Sequence, residues 1–262
     1  LGYYMFEQDS DWGWVGSDYD SAGTIVEYIW GHNAYNSKSK AVYGNATYSI
    51  SDSLRVNAGL RSNEDSKGRL GATNSWDDTL WKVAIESDIN DDMMIYATAS
   101  TGFRAGGANN GDVVALLADE GIDAALYDPE FVTALEFGIK SVMQDGRLIL
   151  NAAVFSNDYS DMHAQSFIVL NNGASEYTMN GGQVDASGLE VEFQWAPTDQ
   201  WYISGNFAYL DAEFGTYDMA ALQGLGSLDG RQKDLTGDGS FNSLSLTGYS
   251  PALAPEFTSA FQ

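Results

Sequence analysis

Few residues in this chain are of a type and spacing that could do chemistry. Gly102-Phe103-Arg104-Ala105-Gly106-Gly107 is glycine-rich enough to suggest a phosphate cradle. It lacks the Lys-Ser/Thr of a P-loop and follows a strand pattern without opening a helix, so it reads as a structural turn. Arg104 shares a strand face with Tyr96 and Thr98, where it either contacts a ligand or pairs with a carboxylate; pairing is the simpler expectation. A second stretch, residues 234–242, sets oxygen-bearing side chains at alternate positions: Asp234, Thr236, Asp238, Ser240 and Asn242, with Gly239 sixth. That is the pattern of a calcium loop, although the twelfth position is Ser245 where a bidentate Glu belongs. A structural calcium in this loop is the only cofactor expected. Trp12, Trp14, Tyr19, Tyr28 and Trp30 lie close together among acidic residues. Such aromatics stack on flat ligands or sugars, and equally pack loops or anchor a membrane interface. His163 stands alone, a weak ligand candidate. Glu190/Glu192 and Asp91/Asp92 are paired carboxylates without an accompanying nucleophile, so no catalytic residue is assigned and the chain is not expected to be an enzyme.

Composition narrows the classes further. Across 262 residues there is no cysteine and only His32 and His163, which removes thiolate chemistry and leaves little for a histidine-based metal site or triad. A formal charge of −25 argues against nucleic acid as a partner. No stretch approaches the roughly 20 apolar residues of a spanning helix. A spanning barrel is not excluded by that, because its strands alternate lipid-facing and water-facing residues. The 15 Tyr, 12 Phe, 7 Trp and 28 Gly beside 4 Pro make a β composition. The chain opens at Leu1 without a charged-then-apolar leader, so any secretory signal is expected to have been removed or to lie outside this sequence.

Period-two alternation is the main pattern. Leu54, Val56, Ala58 and Leu60 face one way, and Arg55, Asn57, Gly59 and Arg61 the other. The same split recurs in Trp81-Val83-Ile85, in Leu135-Phe137-Ile139 and in Leu189-Val191-Phe193-Trp195. The runs are about 10 to 14 residues long, the length of tilted membrane strands rather than of soluble ones. Short turns at 51–53, 90–92, 144–146 and 197–200 alternate with long polar links at about 9–37, 66–77, 105–128, 160–180 and 215–250. This asymmetry puts Asp145 on the periplasmic side and Asp112 outside. Strands are predicted near 1–8, 38–50, 53–65, 78–89, 93–105, 130–143, 147–160, 182–196, 201–214 and 255–262. Both ends fall within strand-like sequence, so part of a barrel is expected.

An ordered series of motifs resembles the TonB-dependent outer-membrane receptors. Ile95 to Gly107 is similar to their YAS-x-S-x-GFRAGG strand. Pro129-Glu130, Glu136-Phe137-Gly138-Ile139-Lys140 and Asp145-Gly146-Arg147-Leu148 resemble their PE…E-x-G-x-K…DGRL hairpin. Asn151 to Phe155, Asp158 to Asp161, Gly188 to Glu192 and Ala254-Pro255-Glu256 continue the pattern in order. The resemblance covers nearly the whole chain.

It implies an all-β fold, a transmembrane antiparallel β-barrel, with here about ten strands of an expected, roughly 22-stranded barrel. Residues 1–262 would form part of that barrel domain, with the plug domain and the barrel ends lying elsewhere. It implies an active importer in the bacterial outer membrane that captures a scarce small-molecule ligand, an iron-siderophore complex first, and is powered by the TonB-ExbB-ExbD complex acting through the plug. Arg104, Trp12, Trp14 and Trp30 are the candidate ligand contacts. A passive, porin-like barrel, a saccharide or cobalamin receptor, and a soluble β-sandwich binding protein are the competing expectations. The family's own DLSG loop before its APE strand offers a metal-free reading of residues 234–242.

Overall fold

The computed structural model describes residues 1–19, 24–69, 72–119, 123–170, 173–220, 232–233, 243–251 and 254–261. In chain order the elements are β1 (Gly2–Tyr19), β2 (Ile25–Ser49), β3 (Leu54–Arg69), β4 (Ala72–Asn90), β5 (Met93–Arg104), β6 (Gly107–Ala108), α1 (Gly111–Asp119) and β7 (Leu126–Tyr127). They continue with β8 (Glu130–Met143), β9 (Leu148–Ser160), β10 (His163–Leu170), β11 (Gly173–Asn180), β12 (Val184–Thr198) and β13 (Trp201–Phe214). The last are β14 (Asp218–Ala220), β15 (Gln232–Lys233), β16 (Ser243–Ser245) and β17 (Phe257–Phe261). Ten of these strands form one antiparallel sheet in the order β1-β2-β3-β4-β5-β8-β9-β12-β13-β17. Sequential neighbours pair throughout, as in a barrel wall, and β1 and β17 are its two unclosed edges.

Register turns the sequence alternation into two faces. Val56 pairs with Ile85, Ile85 with Ala97, Ala97 with Phe137, Phe137 with Val154, Val154 with Leu189 and Leu189 with Tyr209. One apolar row therefore crosses seven strands, and Ile85, Phe137 and Val154 within it are each about half exposed. A continuous exposed apolar band of this kind requires lipid to cover it. Aromatics edge its outer side, including Trp81 and the pair Phe103–Phe131, whose centroids are 5.7 Å apart. The opposite parity carries the polar and charged residues and faces the lumen.

The first four strands extend further than the alternation predicted. Residues 9–19, 25–37, 66–69 and 72–77, expected in links, are strand. Above the pair Leu60–Trp81 the outward parity changes to Ser62–Thr79 and then Glu64–Asp77. Both faces are wet there, so no apolar period marks the strand. The ladder nonetheless continues through Arg69–Ala72, about 30 Å along the ribbon beyond the apolar band.

The long links also contain structure. Residues 105–128 hold β6, α1 and β7, and residues 160–180 hold the hairpin β10–β11. These pack together at the outer end around Val113 and Leu117, which are fully buried, with Ala124, Tyr177 and Met179. At the other end the connections are short; Gln144, Asp145 and Gly146 all take positive φ in the β8–β9 turn.

Candidate functional site

The lumen wall holds most of the cations of this acidic chain. Of 12 Lys and Arg, seven lie on the lumen parity of β3, β4, β5 and β8: Arg55, Arg61, Lys67, Arg69, Lys82, Arg104 and Lys140. Near the inner rim Arg55 bridges Glu86 and Asp88 of β4. Midway, the Tyr96 hydroxyl donates to Glu136 Oε1 at 2.6 Å and Lys140 Nζ lies 5.5 Å from the Tyr96 ring centroid. Asn151, Glu190, Glu192 and Asn206 continue this wall and share with Tyr96 and Lys140 a groove of about 560 Å³.

At the outer mouth β5 ends on the glycine-rich turn. Side chains there would collide with the packing: a Cβ at Gly102 would meet Val132 Cγ1 at 2.6 Å, and one at Gly106 would meet Trp76 Cζ2 at 2.9 Å and the Tyr127 carbonyl oxygen nearer still. The turn is thus a tight seat for the cap, built from backbone because nothing larger fits. Lys67 Nζ donates to the Ala105 carbonyl at 3.0 Å and holds the seat from below. Burial pushes the Lys67 ammonium below its ordinary pKa, and nearby Arg104 adds to that while Asp65 opposes it. Burial likewise raises the Tyr127 phenol, with Tyr35 adding to the rise and the Arg104 and Arg69 guanidiniums opposing it.

Arg104 pairs in register with Glu130 and its Nη1 donates to Glu130 Oε1 at 3.3 Å, with 68% of the Arg104 side chain exposed. The other oxygen of Glu130 accepts the His163 backbone N–H at 2.7 Å. His163 Nε2 donates to the Asp128 carbonyl at 2.7 Å, and its ring meets Tyr127 edge-on at 4.9 Å. Two asparagines complete the fastening of the cap. Asn109 donates to the Ala124 and Thr178 carbonyls and accepts from the Thr178 N–H; Asn180 donates to the Asp128 and Asp161 carbonyls and accepts from the Asp128 N–H. The arrangement suits recognition at a structured mouth: fixed donors, no nucleophile-base pair.

A family model described as TonB dependent receptor-like, beta-barrel, matches residues 2–258. The chain belongs to this family. Among relatives of this TonB-dependent receptor barrel, the pesticin receptor of Yersinia pestis is 26% identical over 181 residues, 63% of this chain and 25% of that receptor. The chain thus spans about a quarter of the length of that curated relative. Among solved structures, the ferric yersiniabactin uptake receptor FyuA of Yersinia pestis superposes over 99% of this chain and 35% of its own, with TM-score 0.64 and 18% identity. The siderophore receptor PiuA of Acinetobacter baumannii covers 99% and 39%, with TM-score 0.66 and 18% identity. At that identity the likeness establishes the fold: the sheet is a section of an outer-membrane receptor barrel.

Of the predicted site residues in this TonB-dependent receptor barrel, only Arg104 is placed in the mouth cluster. Trp12, Trp14 and Trp30 stand on strands rather than in a loop, with Trp14 opposite Trp30 beside a register shift at Gly13, and their side chains lie outside the described residues. Asp234, Thr236, Asp238, Ser240 and Asn242 also lie outside the described residues. Among the described residues no group of three or more His, Asp or Glu is placed to hold a metal. Sequence reasoning missed Lys67, Tyr127, Asn109 and Asn180. The first sits in a two-sided polar strand and the others in links without periodicity, so no local signal marked them.

Proposed function

We propose that this barrel section belongs to an importer that captures a metal chelate, an iron-siderophore complex first, at its outer mouth, and draws energy from TonB with ExbB and ExbD. It is a transport receptor rather than an enzyme. The observation that carries this reading is the family match over residues 2–258, on a wall with lipid outside, charges inside and a fastened cap over the outer end. The names of its relatives support the cargo: a siderophore receptor and a ferric yersiniabactin uptake receptor are among the proteins it resembles. Arg104 is the ligand contact best placed for the task, at the end of β5 with 68% of its side chain exposed.

The test is uptake of radiolabelled iron supplied with the spent medium of iron-starved cells, in strains lacking the receptor or TonB. Uptake should fall in both strains and return on complementation. Unchanged uptake without the receptor would overturn the cargo, and unchanged uptake without TonB would overturn the energy source.

A further inference from the structure

We propose that the free edge of β4 over residues 73–79 is a docking site for a partner protein at the cell surface, which adds an extended segment bearing adjacent Lys or Arg residues to the sheet as a further strand. The site lies beyond the apolar band and on the sheet's edge rather than in the lumen, so it is independent of the cargo.

Above the membrane β4 and β5 separate. They pair from Asn90–Met93 only as far as Lys82–Ser100, whereas β4 continues along β3 to Ala72 without a register shift. After Arg104 the chain turns in over the lumen instead of following β4: Lys67 Nζ holds the Ala105 carbonyl, Trp76 Cζ2 stands 2.9 Å from where a Cβ on Gly106 would be, and β6 pairs with β7. Two hydrogen bonds fix which backbone groups this leaves open. The Asp88 N–H donates to the Ser53 carbonyl on the β3 side at 2.8 Å, and the Trp81 N–H donates to Thr101 Oγ1 on the β5 side at 3.1 Å. Backbone groups alternate between the two edges of a strand, so the even-numbered residues bond β3 while Thr73, Ser75, Asp77 and Thr79 turn their N–H and C=O groups to the open side. All four residues are exposed, and among the described residues no strand pairs with them there. The open edge is about 20 Å long.

Such an edge is a template for another strand, and folds usually blunt it with proline, lysine or a bulge. Residues 72–80 contain none of these. They carry Asp77 and Asp78 instead, on opposite faces of the strand, with Glu64 beside Asp77 across the ladder. These carboxylates select the occupant. A second copy of this chain, itself at a formal −25, would bring its own Asp77 and Asp78 into the same ladder, where like charges on facing strands destabilise the pairing. A segment with adjacent Lys or Arg residues sets one cation on each face, opposite Asp77 and Asp78. The ladder bonds then supply affinity and the charges supply specificity.

The experiment is residue-resolved amide hydrogen exchange on the full-length receptor in detergent, with the synthetic peptide Thr-Val-Thr-Lys-Arg-Thr-Val-Thr as the probe. The peptide should slow exchange several-fold at Thr73, Ser75, Asp77 and Thr79 and leave Asn74, Trp76 and Asp78 unchanged, because β3 already holds those three. The same peptide with Glu-Glu in place of Lys-Arg should slow none of them. Ser75→Pro removes an N–H that faces away from β3, at an edge position where proline is tolerated, so it should abolish the protection while heat-modifiable gel mobility stays that of the wild type. Unchanged exchange at millimolar peptide, equal slowing at odd and even positions, or an equal effect of the acidic peptide would overturn the proposal. Odd-numbered amides already protected without peptide would overturn it too: protection that rises with receptor concentration would make a second copy the occupant, and protection independent of concentration would make it another part of the receptor. If Ser75→Pro fails to fold, the alternation in the wild type decides. Iron uptake plays no part in this measurement, so the docking edge and the cargo reading can fail separately.

Discussion

The ring of Tyr127 fills the space that a side chain at position 107 would need: a Cβ on Gly107 would meet Tyr127 Cε1 at 2.9 Å and the hydroxyl nearer still. The two residues also pair through their backbones. Gly107→Ala must therefore displace the ring or the turn, at an overpacking cost of about 1–3 kcal/mol. Gly44→Ala is the control, because its Cβ makes only ordinary contacts with Leu1, at 3.6 Å to Cδ1 and 3.9 Å to Cα. Limited proteolysis of the folded receptor should find the outer link around 105–128 cut faster in Gly107→Ala and unchanged in Gly44→Ala.

Asn109 holds β11 to the rim with two donated bonds of 2.8 and 2.7 Å and one accepted bond of 2.7 Å. Asn109→Ala leaves those partners unsatisfied and should loosen the hairpin by about 1–3 kcal/mol. Asn109→Asp should be worse, because a carboxylate oxygen then faces two carbonyl oxygens that need a donor. Amide exchange across 173–180 reads both: faster in Ala, faster again in Asp. The reverse order would overturn the role given to the two donated bonds.

How legible this was follows from which residues had a reason to alternate. Strands β8, β9, β12 and β13 were located within a residue or two at nearly every end, because Phe137, Val154 and Leu189 must meet lipid while Glu136, Asn151 and Glu190 meet water. The outer ribbons of β1 to β4 were invisible to the same reasoning. Glu64 and Asp77 face each other across the ladder with water on both sides, so nothing in residue type distinguishes strand from loop. The lumen-side position of Arg104 was legible because it sits on a strand with a clear parity. Asn109 and Tyr127 act through contacts between segments tens of residues apart, which no window of sequence contains.

The assignment of inside and outside yields a sharp contrast on a single strand. Val154 lies in the apolar row between Phe137 and Leu189, while Asn151, three residues earlier, faces the lumen opposite Lys140 and Glu192. Val154→Lys places an ammonium in hydrocarbon and should cost about 2–4 kcal/mol, whereas Asn151→Lys gains Glu192 as a neighbour and should cost well under about 1 kcal/mol. Urea midpoints of the receptor refolded into liposomes measure both. Equal losses would mean that the face assigned to lipid is wrong.

Lys67 and Lys38 should titrate in opposite directions from the ordinary lysine value, although both lie beyond the apolar band. Burial, reinforced by Arg104, depresses Lys67. The hydrogen bond to Glu7, with an Nζ–Oε1 distance of 2.6 Å, raises Lys38. The sign for stability follows from these directions. Because the folded state disfavours the charged form of Lys67, its contribution is most favourable above the unfolded lysine value of 10.5 and is lost as pH falls through the lowered folded value. Lys38 behaves oppositely: its pairing is fully present below that value and disappears as pH rises through the raised one. Competitive acylation across an alkaline pH series should show Lys67 becoming reactive first and Lys38 last among these two. Glu7→Gln should bring Lys38 back toward the ordinary value while leaving Lys67 where it was. Coincident titration of the two lysines in the wild-type receptor would remove both the buried clasp on Ala105 and the Lys38–Glu7 pair from the account of how the outer ribbons are held.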